Sequence, residues 1–148
     1  MSGVRFQRGN HVVANLDLAL IFYRDVLGFG VTFILPHNPE SYSYPVFDIP
    51  TESRMRFCVL STDTQERVMA LTEVTNVPLT PVPHPRRSAI VLEIDDPDVV
   101  MARARALGLK VYDEAVLITK DGRRGREIGI VDFDDNLVVI YQITGVAQ

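Results

Sequence analysis

The chain has 148 residues, 47% of them hydrophobic and 23% charged, which is the composition of a soluble globular protein and excludes a disordered or fibrous one. Lys and Arg total 15 against 19 Asp and Glu, and this net charge of −4 gives no overall positive field to attract nucleic acid. No apolar run approaches the roughly 20 residues that cross a bilayer, and the beginning of the chain lacks the apolar segment of a signal peptide. The single cysteine, Cys58, cannot form an internal disulfide, which favours the reducing cytoplasm. From the charge and the short apolar runs we expect no nucleic-acid or membrane partner.

The predicted elements of the first half run strand, helix, strand, strand, strand. An apolar strand ends at Asn15, whose side chain is of the type that caps a helix. The helix carries apolar residues at spacings of three and four, and it stops at Gly28. The stretch 36–54, which lacks a clear period, is predicted to be an inserted loop. The four predicted strands of this half are 9–14, 29–35, 55–60 and 68–74.

The same order of elements returns in the second half. Asp96 lies 81 positions after Asn15 and Gly108 lies 80 positions after Gly28, so the two halves form a repeat with a one-residue gap. Pro97 suits the first position of the second helix. The predicted strands of this half are 88–94, 110–112, 126–131 and 137–143.

The domain organisation follows from this repeat. We predict a single domain over residues 1–148, made of a module at 5–76 and a module at 88–143. The segment 77–87 contains four prolines, which fit neither a helix nor a central strand, so it is predicted to be the linker. We do not expect either module alone to bury enough surface for a stable fold, so we expect the two modules to share one core.

The first helix carries a specific string of residues, Asn-Leu-Asp-Leu-Ala-Leu-Ile-Phe-Tyr-Arg-Asp-Val-Leu-Gly-Phe, at 15–29. This string resembles the signature helix of the vicinal oxygen chelate superfamily, which includes glyoxalase I, bleomycin-resistance proteins and extradiol dioxygenases. The segment 132–141 is similar to the family's closing Asp-Pro-Asp-Gly-Asn-Leu-Ile-Glu-Leu motif, with Phe133 and Asp135 in place of Pro and Gly. The resemblance covers about residues 6–142. It implies an α+β fold of two tandem βαβββ modules, with curled mixed sheets around a central cavity, in a homodimer.

The resemblance also implies a metal site that this sequence does not complete. Metal-dependent members typically place one His or Glu on the first and fourth strands of each module. Three of the matching positions hold Arg8, Ala89 and Val139, and Glu73 is the one plausible ligand. Ala and Val offer no donor atom and an arginine repels a cation, so no cofactor is predicted. A divalent metal held by His11 and Glu73 stays open as an alternative, although His11 is expected to point away from the cavity.

Alternation along the strands predicts which side chains line the cavity. The predicted catalytic residues are Glu73 for proton transfer, with Arg8 and Tyr141 holding a substrate oxygen. A buried ion pair of Glu73 with Arg8 or Arg56, which fixes the sheet, is the alternative role for this carboxylate. The other predicted binding residues on strands are Asn10, Val12, Arg56, Met69, Leu71, Val91, Glu93 and Val139.

Three aromatic residues of the inserted loop, Tyr42, Tyr44 and Phe47, form a predicted lid that stacks on a planar ligand. The alternative is that they cover the loop's own small core.

These residues leave three functional hypotheses, each with a small organic ligand as partner. The first is a metal-independent lyase, isomerase or cyclase that acts on a small hydrophobic carbonyl or aromatic metabolite. The second is a binding protein of the bleomycin-resistance kind, which sequesters a ligand without altering it. The third is a metal-dependent glyoxalase or dioxygenase that uses His11 and Glu73.

Overall fold

In the computed structural model, which describes residues 3–146, each half of the chain contains four strands with a helix after the first. The two halves form units that divide between Thr80 and Pro81, within the predicted linker. Each unit contains one four-stranded mixed sheet, and the two sheets have the same strand order when the repeats are superposed in sequence. The predicted α+β class and the βαβββ order are therefore confirmed.

The first unit has its strands in the order β1-β4-β3-β2. The parallel pair is β1 with β4, and the other neighbours are antiparallel. A π-helical turn, Ile21–Val26, continues the first helix directly. The elements are β1 (Gly9–Val13), α1 (Leu16–Leu20), β2 (Gly30–Leu35), α2 (Ser43–Val46), β3 (Arg54–Ser61) and β4 (Met69–Thr75).

The second unit repeats this arrangement in the order β5-β8-β7-β6. The strand predicted at 110–112 is wrong, because within the described residues Val111 makes one isolated bridge and the strand lies further on. The Asp121-Gly122 turn lets β7 begin earlier than predicted, so its hairpin partner precedes that turn directly. The elements are β5 (Ala89–Glu93), α3 (Pro97–Ala106), β6 (Ala115–Ile118), β7 (Arg123–Val131) and β8 (Leu137–Val146).

Both helices begin at the predicted caps. Asn15 Oδ1 accepts a hydrogen bond from the Leu18 amide at 3.0 Å, and Asp96 Oδ1 accepts one from the Val99 amide at 3.2 Å. These contacts satisfy amides that the first helical turn leaves without backbone partners. The predicted stops also hold, since Gly28 and Gly108 follow the helices at φ of 95° and 78°, where residues with a Cβ are strained.

The helix of each unit covers one face of its sheet, which we call the helix face. In the first unit Leu16, Phe22 and Tyr23 are fully buried, and Tyr23 OH lies 2.7 Å from Nδ1 of the buried His11 on β1. In the second unit Val100 and Ala104 of α3 are buried, together with helix-face residues of β7 and β8. Residues of the opposite alternation point to the other face, which we call the distal face.

Candidate functional site

The strand register places the predicted site residues on two different faces. Asn10 on β1 lies opposite Ala70 on β4, whereas Val13 lies opposite Glu73. Directly paired residues point to the same side of a sheet, so Glu73 shares the helix face with the fully buried Val13. Met69, Leu71 and Glu73 of β4 were expected to share a face with Arg8, Asn10 and Val12, and this expectation is wrong. The three β4 residues point to the helix face instead.

The register also locates the fourth of the positions that match metal ligands in the family. Val139 lies opposite Val91, and the repeat offset of 81 relates Val91 to Asn10, which lies opposite Ala70. Ala70 rather than Glu73 is thus the counterpart of Val139. The four matching positions hold Arg8, Ala70, Ala89 and Val139.

A divalent metal does not fit these residues, because no carboxylate, imidazole or thiolate stands at any of the four positions. Throughout residues 3–146 there is no group of three or more His, Cys, Asp or Glu side chains arranged to hold an ion. The alternative pair is also engaged elsewhere, since His11 lies within hydrogen-bond distance of Tyr23 and Glu73 pairs with Arg56.

Glu73 sits at the junction of β4, β3 and the beginning of α1. Its Oε1 accepts a hydrogen bond from Arg56 Nε at 2.7 Å, and its Oε2 accepts one from Arg56 Nη2 at 3.0 Å. The Leu16 amide donates a further hydrogen bond to Oε2 at 2.6 Å. The side chain is 8% exposed, so these donors replace the water that the carboxylate loses.

This environment keeps Glu73 ionised. Burial raises the pKa of its carboxyl, but the hydrogen bonds from Arg56 and from the Leu16 amide, with the charge of Arg56, outweigh burial and hold the pKa below the ordinary value of 4.5. The same pairing raises the pKa of the Arg56 guanidinium. The buried ion pair that was the alternative role for Glu73 is thus present in the structure.

The second unit contains a related arrangement. Arg126 on β7 lies opposite Gln142, as Arg56 on β3 lies opposite Glu73. Arg126 Nη2 donates to Asp98 Oδ1 at 2.7 Å, and Asp98 lies 81 positions after Asp17, which is 3.7 Å from Arg56 Nη2.

Gln142 takes the place of Glu73 in this arrangement: its side-chain amide donates a hydrogen bond to the Asp95 carbonyl at 2.7 Å, just before α3 begins. Each unit therefore fastens the start of its helix to the two central strands of its sheet. We call this arrangement the helix clamp, made of Arg56, Glu73 and Asp17 in the first unit and of Arg126, Gln142 and Asp98 in the second.

A cavity of about 160 Å³ lies between the distal face of the first sheet and the inserted loop, and we call it the loop cavity. Among its polar groups, the Thr72 hydroxyl donates to Asn10 Oδ1 at 2.9 Å. The exposed Arg8 places its guanidinium 5.8 Å from the centroid of the Phe57 ring. The cavity is lined by Leu35, Pro36, Asn38, Ser41, Ser43, Met55, Arg56, Phe57 and Thr72.

Of the predicted lid residues, none lines this cavity. Tyr44 is buried with Ile49, Met55 and Val74, and its hydroxyl donates to the Ser53 carbonyl at 2.7 Å. It therefore covers the loop's own core, which was the alternative to a lid. The other two lid residues, Tyr42 and Phe47, are 79% and 41% exposed.

The predicted site residues of the second unit lie together on its distal face. Val91 is opposite Val139, and Glu93 is opposite Tyr141, so alternation grouped these four correctly. The two β5 residues are exposed and the two β8 residues are half-buried.

Sequence reasoning missed most of the residues that line the loop cavity. Phe57 and Thr72 lie directly opposite each other, and a correct β4 register predicts their common face. The loop residues Asn38, Ser41 and Ser43 carry no periodic signal that places them.

A model of the Glyoxalase/Bleomycin resistance protein/Dioxygenase superfamily matches residues 8–140. Among solved structures, a glyoxalase family protein from Bacillus cereus has a TM-score of 0.74 at 15% identity, with 98% of this chain and 97% of that chain covered. The trypanothione-dependent glyoxalase I of Leishmania major gives 0.65 at 18% identity, with 95% and 87% covered. TnmS3, an antibiotic binding protein from Streptomyces sp. CB03234, gives 0.55 at 19% identity, with 97% and 99% covered. At these identities the likeness to each structure shows the fold.

A search of curated proteins finds no match. Among the described residues, no helix is long and apolar enough to cross a membrane.

The helix clamp predicts a pH-dependent effect of Glu73→Gln. At pH 7 this variant should lose about 1 to 3 kcal/mol of unfolding free energy in urea denaturation, because charged hydrogen bonds are lost. The pKa of Glu73 is lower in the folded protein than in the unfolded chain, so its stabilisation is present above about pH 4.5 and disappears as the pH falls through the folded-state value. The difference between wild type and variant should therefore narrow in acid.

Glu66→Gln is the matched control, since Glu66 is exposed. Equal stability of the two variants at pH 7, or a difference that stays constant into acid, contradicts the clamp.

Proposed function

We propose that this chain, which belongs to the Glyoxalase/Bleomycin resistance protein/Dioxygenase superfamily, binds a small organic ligand in the loop cavity without a metal ion. None of its four positions that match metal ligands in the family holds a carboxylate, imidazole or thiolate. The observation that carries the proposal is the cavity itself. It depends on the insertion between β2 and β3, whereas a tight turn joins β6 to β7 at the equivalent place.

The size and lining of the loop cavity suit one aromatic ring. Its volume of about 160 Å³ is close to the roughly 150 Å³ of cavities that accept benzene. Leu35, Met55 and Phe57 contribute apolar side chains to the lining, and Ser43 and Thr72 contribute hydroxyl groups. A ring with one polar substituent matches this combination of groups.

The state of Glu73 favours binding over catalysis. A general acid or base has to exchange its proton near the working pH, whereas Glu73 is held ionised by Arg56 and the Leu16 amide. Glu73 is also not among the residues that line the loop cavity. The lyase, isomerase or cyclase hypothesis with Glu73, Arg8 and Tyr141 stays a prediction. The antibiotic binding protein TnmS3, which has a similar fold, supports ligand sequestration as the better alternative.

Replacement of Phe57 should weaken binding of a single-ring probe. We expect benzamide to give saturation-transfer NMR signals with the wild-type protein, and Phe57→Ala to weaken its affinity about tenfold because the aromatic wall is lost. Phe47→Ala removes the same ring from an exposed position outside the cavity, so it serves as the control and should leave the affinity unchanged.

Equal affinities of the two variants, or no benzamide signal with the wild type, contradict the proposed cavity. Glu73→Gln should retain benzamide binding. If the wild type converted a ligand to a product and Glu73→Gln abolished that conversion, the result would instead support the catalytic hypothesis.

We further propose that the protein is a homodimer. The edge strand β2 exposes all of its residues, and edge strands with apolar side chains favour pairing with another chain. Light scattering after size exclusion should give twice the chain mass, and Ile34→Lys on β2 should shift it to the monomer. Leu18→Lys, at an exposed position on α1, should not. A monomeric wild type contradicts the dimer. We also propose a cytoplasmic location, because the single cysteine, Cys58, cannot form an internal disulfide.

A further inference from the structure

A second cavity, of about 320 Å³, lies at the start of β3, and five of the seven residues that line it are charged or polar. Arg54 and Arg56 are two residues apart on β3, opposite Thr75 and Glu73 of β4. These four side chains therefore point to the same face. His37, from the inserted loop, also lines the cavity. We call it the arginine cavity.

His37 presents a hydrogen-bond donor in this setting. Its Nδ1 accepts a hydrogen bond from the Met55 amide at 3.2 Å, so a neutral His37 ring carries its proton on Nε2. This bond takes the place of a ladder bond, because β2 ends at Leu35. It fixes the half-buried ring at the edge of β3. The sequence alone predicts a solvated loop histidine at position 37, with the alternative that a histidine in a loop reaches a site.

The charges of the arginine cavity do not balance. Arg56 and the Leu16 amide already compensate the Glu73 carboxylate. Within residues 3–146, no side chain forms a hydrogen bond or ion pair with the exposed Arg54 guanidinium. One full positive charge with a planar fork of donors is therefore available to a ligand.

The second unit shows which of these features belong to the fold. Thr144 Oγ1 donates to the Arg124 carbonyl at 3.2 Å, as Thr75 Oγ1 donates to the Arg54 carbonyl at 3.3 Å. The arginine and threonine are thus common to both modules. His37 belongs to the insertion, which the second module does not contain. The imidazole beside the arginine is therefore a special feature of the first module.

We propose that the arginine cavity binds a small oxyanion, a carboxylate or phosphate group, through the Arg54 guanidinium and His37 Nε2. Arg56 adds positive charge to the wall while its fork remains bound to Glu73. The arginine cavity adjoins the loop cavity, and Pro36, Met55 and Arg56 line both. Arg54 and His37 line the arginine cavity but not the loop cavity, so the anion site does not depend on the binding function proposed above.

The test is a titration of the ¹⁵N-labelled protein with inorganic phosphate and, separately, with acetate, at an ionic strength kept constant with NaCl. The Met55 amide is the reporter, because it is bonded to His37. We expect its resonance to shift in a saturable way with at least one of the two anions. Arg54→Gln should weaken that affinity about tenfold, the size expected when a charge-assisted hydrogen bond is lost. His37→Ala should weaken it as well.

Arg105→Gln is the matched control, since Arg105 is an exposed arginine near the end of α3. It should leave the affinity unchanged, and the amide spectra of all variants report whether they are folded. Shifts that do not saturate, or equal weakening in the two arginine variants, overturn the proposal because they indicate general screening. Benzamide binding to Arg54→Gln should be retained, so loss of the anion site and failure of the loop cavity are distinguishable.

Discussion

Glu73 is a nearly buried carboxylate whose charge is stabilised by Arg56 on the neighbouring strand and by the first amide of α1. Removing a carboxylate from water is costly, and the arrangement is stable because every donor lies within hydrogen-bond distance. In the second unit the start of the helix is held by the neutral Gln142 and by Arg126, which donates a hydrogen bond to Asp98. In both units the clamp holds the start of the helix on one face of the sheet.

Much of the fold follows from local signals in the sequence. The caps at Asn15 and Asp96 and the left-handed positions at Gly28 and Gly108 are set by residues near in sequence, so the repeat and the βαβββ order were predictable. The register between β1 and β4 was not. Alternation decides which residues of one strand share a face, but pairing decides which face that is, and a shift of one residue moved Glu73 from the cavity to the helix face.

The two modules together separate architecture from function. The capped helix, the clamp arginine and the threonine bond at the strand end occur in both modules, so they serve the fold. The insertion at 36–54 occurs in the first module, and it contributes residues to both the loop cavity and the arginine cavity. Its polar side chains lack periodicity, so the predicted binding residues were assigned mostly to strands, where alternation gives a signal. Ala70 and Val139 occupy the positions on β4 and β8 that match metal ligands in the family, and neither side chain can coordinate a metal. The proposed binding function, which uses no metal, is consistent with these residues.

Glu73 is a structural carboxylate that is ionised throughout the neutral range. A ¹³C NMR titration of the Glu73 side-chain carboxyl, assigned by comparison with Glu73→Gln, measures this directly. We expect the midpoint of its titration to lie below pH 4.5, because Arg56 and the Leu16 amide favour the charged form. A midpoint well above 4.5 would contradict this structural role and make Glu73 a candidate for proton transfer again.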